Sequence, residues 1–262
     1  MKTKKLVALV LVAVLAITSV VGGTLAYFTD TDAEDNVFTL GNVDIAIDEI
    51  FDPEGTLMPD EENKTQKEVY VENVGTEPAY IRIHYAIPSD LVDANIMSYN
   101  DMLHVNMTKA SIAAGEWSWL PAYNKDGKGW TDNGLANNNT YTTTIDDVEH
   151  TVWVVTYTTE VAAGAKTATP AISNVYMDKY VEATGNADGS VTYTKPNFTE
   201  GTRDVTKANG TMSYTVEKND NGALETTIKV IAEGTQVDSF DDAYEALNTA
   251  FGNPGTYNPW EA

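Results

Sequence analysis

The chain has no cysteine and only three histidines in 262 residues, and its 16 Lys and Arg are far outnumbered by 39 Asp and Glu. Without cysteine there is no disulfide staple, no zinc–thiolate site and no thiol nucleophile, so an exported form must be held together by its core. A chain of this length can bury one. The formal net charge of −23 argues against nucleic acid, whose partners present basic patches, and against an anionic membrane face. It describes a solvated, self-repelling surface. The histidines His84, His104 and His150 never occur as His-Glu-x-x-His, the pair-plus-glutamate of a zinc peptidase helix. A Gly-x-Ser-x-Gly elbow is also missing, as is a Gly-x-x-x-x-Gly-Lys phosphate loop. Spacing alone leaves a Ser-His-Asp triad open, because its members can lie far apart in sequence.

Long hydrophobic runs are lacking everywhere but at the start. Lys2, Lys4 and Lys5 precede Leu6 to Val21, apolar apart from Thr18 and Ser19, and Gly22-Gly23-Thr24-Leu25-Ala26 follows. That order of charge, grease and small residues is a signal peptide's. The apolar stretch falls short of the roughly 20 residues that span a bilayer. Residues 1–26 are therefore expected to be a signal peptide, cut between Ala26 and Tyr27. Loss of its three lysines takes the remainder from −23 to −26.

Strand patterns fill what remains. Val43, Ile45 and Ile47 alternate with Asp44 and Asp48, Val69 and Val71 alternate within Glu68 to Val74, and Ile81, Ile83, Tyr85 and Ile87 oppose Tyr80, Arg82 and His84. A period of two predicts half-buried strands. Thr151–Thr158, Val191–Tyr193, Met212–Val216 and Thr226–Ala232 add more, and Asp126-Gly127, Asp188-Gly189 and Asn221-Gly222 suit hairpin turns. One helix is predicted near the end, capped by Ser239, with Phe240, Ala243, Tyr244, Leu247 and Phe251 on one face and Gly252 and Pro254 stopping it. It should pack across an open end of the sheets. Together these predict an all-β antiparallel sandwich over residues 27–262, one domain, with an irregular insertion at 88–147.

Two clusters invite a chemical reading. Asp146-Asp147-Val148-Glu149-His150 reads as a charged turn before a strand rather than a metal site. Asp30 to Asp35 resembles a calcium loop, but the sixth and twelfth places hold Asp35 and Gly41, where an EF-hand needs Gly and Glu. Weak calcium binding by surface acids is the only cofactor left open. Trp117, Trp119 and Trp130 in the insertion read as local core, with a sugar-stacking platform as the alternative.

Gly22, Gly23, Thr24, Ala26, Tyr27, Phe28, Asp30, Asn36, Phe38, Gly41 and the Val43–Ile47 strand form a pattern that resembles the TasA/camelysin family of Gram-positive surface and biofilm-matrix proteins, exported through an ER-type signal peptidase. Val69–Tyr85, Val161–Asp178 and Ile231–Leu247 agree more weakly, and Pro88–Asp147 matches nothing in it. The resemblance implies a jelly-roll-like sandwich, secretion to the matrix or cell surface, and assembly into fibres in which the freed N-terminal segment adds as a strand to the next subunit. Residues 27–38 would be that donor, with Tyr27, Phe28, Val37 and Phe38 filling apolar pockets. The implied partners are the signal peptidase during export, other copies of the chain and other matrix components, with no nucleic acid and no membrane after cleavage. The metalloprotease label of camelysin relatives also comes with the family; lacking the zinc motif, this chain is expected not to be an enzyme. A camelysin-type surface metalloprotease and a monomeric glycan-binding adhesion sandwich are the alternatives.

Overall fold

The computed structural model describes residues 42–51, 57, 59, 62, 64–92, 100–106, 117–118, 122–124, 129–131, 140–198 and 203–261, with 106, 118, 122–124 and 129–131 described by backbone alone. These residues fall within one compact unit, Gly41–Ala262. In chain order the strands are β1 (Ile45–Phe51), β2 (Thr65–Asn73), β3 (Ala79–Pro88), β4 (Leu103–Asn106), β5 (Trp117–Ser118), β6 (Ala122–Asn124), β7 (Gly129–Thr131), β8 (Thr140–Ile145), β9 (Val148–Val161), β10 (Ile172–Met177), β11 (Glu182–Gly185), β12 (Val191–Pro196), β13 (Thr211–Val216) and β14 (Lys229–Gln236), followed by helix α1 (Ala243–Phe251).

All the strand pairs are antiparallel. The first sheet runs β1-β2-β10-β4 and the second β14-β3-β9, with β8 and β5 along the far side of β9. Alternation decides which side chains meet. Val69 and Val71 of β2, Leu103 and Val105 of β4, and Ile172 and Val175 of β10 face Ile81, Ile83 and Tyr85 of β3 and Trp153 and Val155 of β9 in one continuous core. The expected all-β sandwich is thus the observed one, with a three-stranded sheet β11-β12-β13 and the ribbon β6-β7 beside it. Within 88–147, where patterning predicts irregularity, β4 edges the first sheet and β5 and β8 pair with β9. These segments are short, and β8 is mostly threonine, so they carry little period-two signal.

Local chemistry sets the turns. Asp146 and Asp147 both take positive φ, 51° and 64°, between the paired ends Ile145 and Val148. This is the two-residue hairpin whose twist matches its strands, so the acidic cluster before His150 is a turn, as predicted. Helix α1 starts three residues later than expected. Ser239 sits at φ 77°, and Asp242 supplies the cap, its carboxylate accepting from the Tyr244 and Glu245 amides. Glu245 reaches back to the Asp241 amide, a reciprocal arrangement like a capping box displaced along the chain. Gly252, at φ 91°, ends the helix.

The two sheets close on each other at one edge. A Cβ on Gly234 of β14 would lie 2.8 Å from Ile45 Cγ2 of β1, so only glycine lets the edge strands meet there. Gly234→Ala is expected to lower the unfolding free energy by about 1–3 kcal/mol through overpacking. Placing the same change on an Ile45→Ala background should remove at least half of that loss in urea melts.

Candidate functional site

The feature that distinguishes this sandwich is its unfinished edge at β1. Among the described residues β1 has one strand neighbour, β2. The register puts Ile47 opposite Val71, Glu49 opposite Val69 and Phe51 opposite Lys67. Side chains directly opposite share a face, so Ile45, Ile47, Glu49 and Phe51 all point inward with the core valines. Yet Ile47 is 40% exposed and Phe51 46%. Inward-facing apolar side chains left that open mark a place where the second layer stops short. An edge with unpaired backbone groups and a wet apolar inner face invites another strand.

The two ends of β1 differ. At the Ile45 end the chain is fastened to the turn between β2 and β3. The Val74 and Gly75 amides donate to the Asp44 carbonyl at 2.8 and 3.0 Å, and the Thr76 amide donates to the Asn42 carbonyl at 2.8 Å. The Asn42 amide donates to Thr76 Oγ1 at 2.9 Å. This contact is so close that a Cβ on Gly75 would stand 2.2 Å from the Asn42 carbonyl oxygen. Gly75 is thus the seat on which Asn42 is clamped.

At the Phe51 end the sandwich opens into a cavity of about 590 Å³ between the first sheet and the β12/β13 sheet. Leu91, Leu103 and Val175 form its floor, Tyr193 and Tyr214 a wall, and Phe51 and Leu224 its exposed rim. One charged pair stands inside: buried Lys67 pairs with Glu49 and lies 4.9 Å from the centre of the Phe51 ring. The Lys67 charge is thereby neutralised and partly shielded, which leaves the cavity amphipathic. Glu225, Thr226 and Thr227 add polar groups on one side, and Leu91, Leu103, Val175 and Met177 leave an apolar patch able to receive a side chain.

The expected donor residues Tyr27, Phe28, Val37 and Phe38, the cleavage residue Ala26 and the Asp30–Asp35 acids lie outside the described residues. The tryptophans divide. Trp117 is buried edge-on against Tyr157, its Nε1 donating to the Thr169 carbonyl at 2.9 Å. It has no free face for a sugar, so it is core and not a platform. Trp119 is outside the described residues, and Trp130 is described by its backbone in β7.

The three histidines lie apart, each with its own partners. His84, on the outer face of β3, is fully buried beneath α1; its Nε2 lies 3.1 Å from Glu233 Oε2 and its Nδ1 3.1 Å from the Tyr141 hydroxyl. Arg82, also buried, pairs with the same Glu233 oxygen and donates to Asn248 Oδ1 of α1 and to the Gly252 carbonyl. His104 stacks on Tyr176 and bonds Asp178, which also pairs with Arg203. His150 bonds the Val148 carbonyl at 2.8 Å. No group of three or more His, Cys, Asp or Glu among the described residues is arranged to hold a metal ion. The zinc site that a camelysin peptidase would need does not fit this donor set.

The Arg82–Glu233–His84 cluster escaped sequence reasoning, which took Arg82 and His84 for a solvent face. Burial lowers the pKa of the His84 imidazole, outweighing the Glu233 carboxylate that would raise it. It is therefore neutral, with Nε2–H donating to Glu233 and Nδ1 accepting from Tyr141. For Glu233 burial acts upward, but the His84 hydrogen bond and the Arg82 charge prevail and hold its carboxyl below the usual range. The result is a polar rivet between α1 and the second sheet.

A family model described as Camelysin metallo-endopeptidase matches residues 1–78. That span takes in the residues expected to form a signal peptide, β1, β2 and the turn that clamps Asn42. It agrees with the resemblance carried by Gly22 to Ile47, and over this region the chain is similar to camelysin-type surface proteins. No curated protein and no solved structure matches the chain. Among the described residues no helix is long and apolar enough to cross a membrane.

Two outcomes follow. Gly75→Ala should break the clamp, and the Val74 and Thr76 amides should then exchange with deuterium at least tenfold faster than in the parent, while the β3 amides stay protected. For the rivet, an unfolded histidine titrates near 6.5. Folded His84 resists protonation there, so acid favours the unfolded chain. Stability present above about pH 6.5 is lost as pH falls toward the depressed folded value, and Glu233 adds a second loss below about pH 4.5. The urea midpoint of the parent should drop between about pH 7.5 and about pH 5.5, and that of His84→Gln should be flatter across the same window.

Proposed function

We propose that this chain is a secreted, non-enzymatic structural protein that polymerises into surface or matrix fibres, each copy donating residues 27–38 as a strand to the next. The observation that carries the reading is the β1 edge, whose inward-facing Ile47 and Phe51 stand half exposed beside a strand with no outer neighbour among the described residues. Similarity of residues 1–78 to camelysin-type proteins supports a surface or extracellular setting, and the leader pattern supports release by a signal peptidase between Ala26 and Tyr27.

The energetics favour side chains as the deciding term. A donor of this length forms roughly six to ten backbone hydrogen bonds, each worth about 0.5–1.5 kcal/mol net. Ordering the segment costs about 1–2 kcal/mol per residue. Over the twelve residues of the segment the ordering cost is the larger of the two. Burial of Tyr27, Phe28, Val37 and Phe38, at about 1.5–3 kcal/mol per large apolar side chain, tips the balance toward assembly. Before cleavage the leader tethers the segment; afterwards it is free to find an edge. The partners are other copies of the chain and other matrix components. No cofactor enters the reading, and the surface acids gather divalent cations only loosely.

Mature protein beginning at Tyr27 is expected to form filaments visible by negative-stain microscopy, and the same protein without Tyr27–Phe38 should stay monomeric. If the shortened protein makes the same filaments, strand donation is wrong.

A further inference from the structure

We infer that Phe38 of one copy fills the cavity at the Phe51 end of the next, so that the donated segment runs parallel to the acceptor's β1, its N-terminus toward Ile45. This inference rests on the donation reading and adds which end receives the strand and which side chain anchors it.

Reach decides the occupant. Phe38 lies four residues before Asn42, at most about 14 Å of extended chain. Asn42 is fixed at the Ile45 end by Thr76 and Gly75. The cavity lies at the other end of β1, against Phe51, Leu103 and Leu224. Glu49 and Phe51, both of which line the cavity, lie seven and nine residues along the extended run from Asn42, which puts the cavity about 23–30 Å from the clamp. Phe38 therefore cannot fill its own molecule's cavity, even with the length of its side chain added. It can fill a neighbour's cavity when that neighbour's Phe51 end abuts this molecule's Ile45 end. Tyr27 and Phe28, more than ten residues further out, have no such restriction.

Direction then follows from closure. The segment leaves each copy at the Ile45 end. If it were received with Tyr27 at the Phe51 end, running antiparallel to β1, its base would lie at the acceptor's Ile45 end, where the acceptor's own segment leaves. Two copies would then face each other and exchange strands, and the assembly would close as a two-fold dimer. Reception at the Phe51 end puts exit and acceptance at opposite ends, and such a contact repeats without closing. Parallel pairing is slightly weaker per residue, which makes the Phe38 anchor more important. The sequence suits an edge position: Thr29, Thr31 and Ala33 alternate with Asp30, Asp32 and Glu34, so over Thr29–Glu34 one face can lie on the sandwich while the acids remain in water. Beyond Glu34, Asp35 and Asn36 interrupt that alternation, and Phe38 follows at the cavity mouth.

The cysteine-free chain allows a direct test by disulfide cross-linking. Mature protein from Tyr27 carrying Thr39→Cys and Leu224→Cys is assembled, oxidised and run on a non-reducing gel. A second protein carries Thr29→Cys and Leu224→Cys. The positions flank the anchors and leave Phe38 in place, and near-UV circular dichroism checks that each variant is folded. The inference expects a ladder of multimers from the first pair and at least tenfold less product from the second. A strong second-pair product that stops at dimer would overturn the direction. Filaments that form with neither pair linking would overturn the cavity as the seam. A readout without cysteine is elongation from parent seeds, expected to slow at least tenfold in Phe38→Ala; an unchanged rate would overturn the anchor. All these failures leave donation standing if removal of Tyr27–Phe38 still abolishes filaments. If that removal does not abolish them, donation itself has failed.

Discussion

The architecture depends on a contrast between the two ends of one edge strand. At the Ile45 end, Gly234 admits the Ile45 side chain and Gly75 admits the Asn42 carbonyl, and the sandwich is shut. At the Phe51 end no comparable contact joins the layers among the described residues, and the inward-facing Ile47 and Phe51 stand half exposed. A protein of this charge and without disulfides has few means of tolerating an open apolar edge, because like charge across the surface opposes compaction and no covalent staple holds the layers. The edge persists because the rest of the core is continuous from β2 through β3 to β9.

Much of this was legible in the residues. Period-two alternation located β1, β2 and β3 and named their inward side chains, because each strand has one face on the core. Asn-Gly and Asp-Gly pairs located turns, because φ > 0 is easy there; Gly189 and Gly222 take positive φ as their dipeptides suggest. The helix was found by its apolar face, but its start was misjudged. Ser239 and Asp242 are both good caps by composition, and only tertiary packing decides which of them takes the position.

Other features were illegible for physical reasons. Burial of Arg82 and His84 requires a second layer on the outer face of β3, and nothing in the β3 sequence says that α1 lies there. The oxygens that accept from Arg82 come from Glu233 of β14 and from Asn248, which are distant in sequence. The requirement for Gly75 is not a left-handed backbone, which a turn motif would reveal, but the approach of a carbonyl from more than 30 residues upstream. Likewise β1 reads as an ordinary half-buried strand. That its inner face is incompletely covered depends on where the second layer ends, which no pattern local to β1 encodes.

Amide hydrogen exchange along β1, compared between freshly released monomer and assembled protein, is the most direct test of the central claim. In the monomer, alternate β1 amides should be protected by β2 while the intervening set, facing the free edge, exchanges rapidly. In the assembled protein the fast set should become protected as well, by a strand from the next copy. If the fast set remains fast in filaments, or is already protected in the monomer, the open edge is not where the copies join.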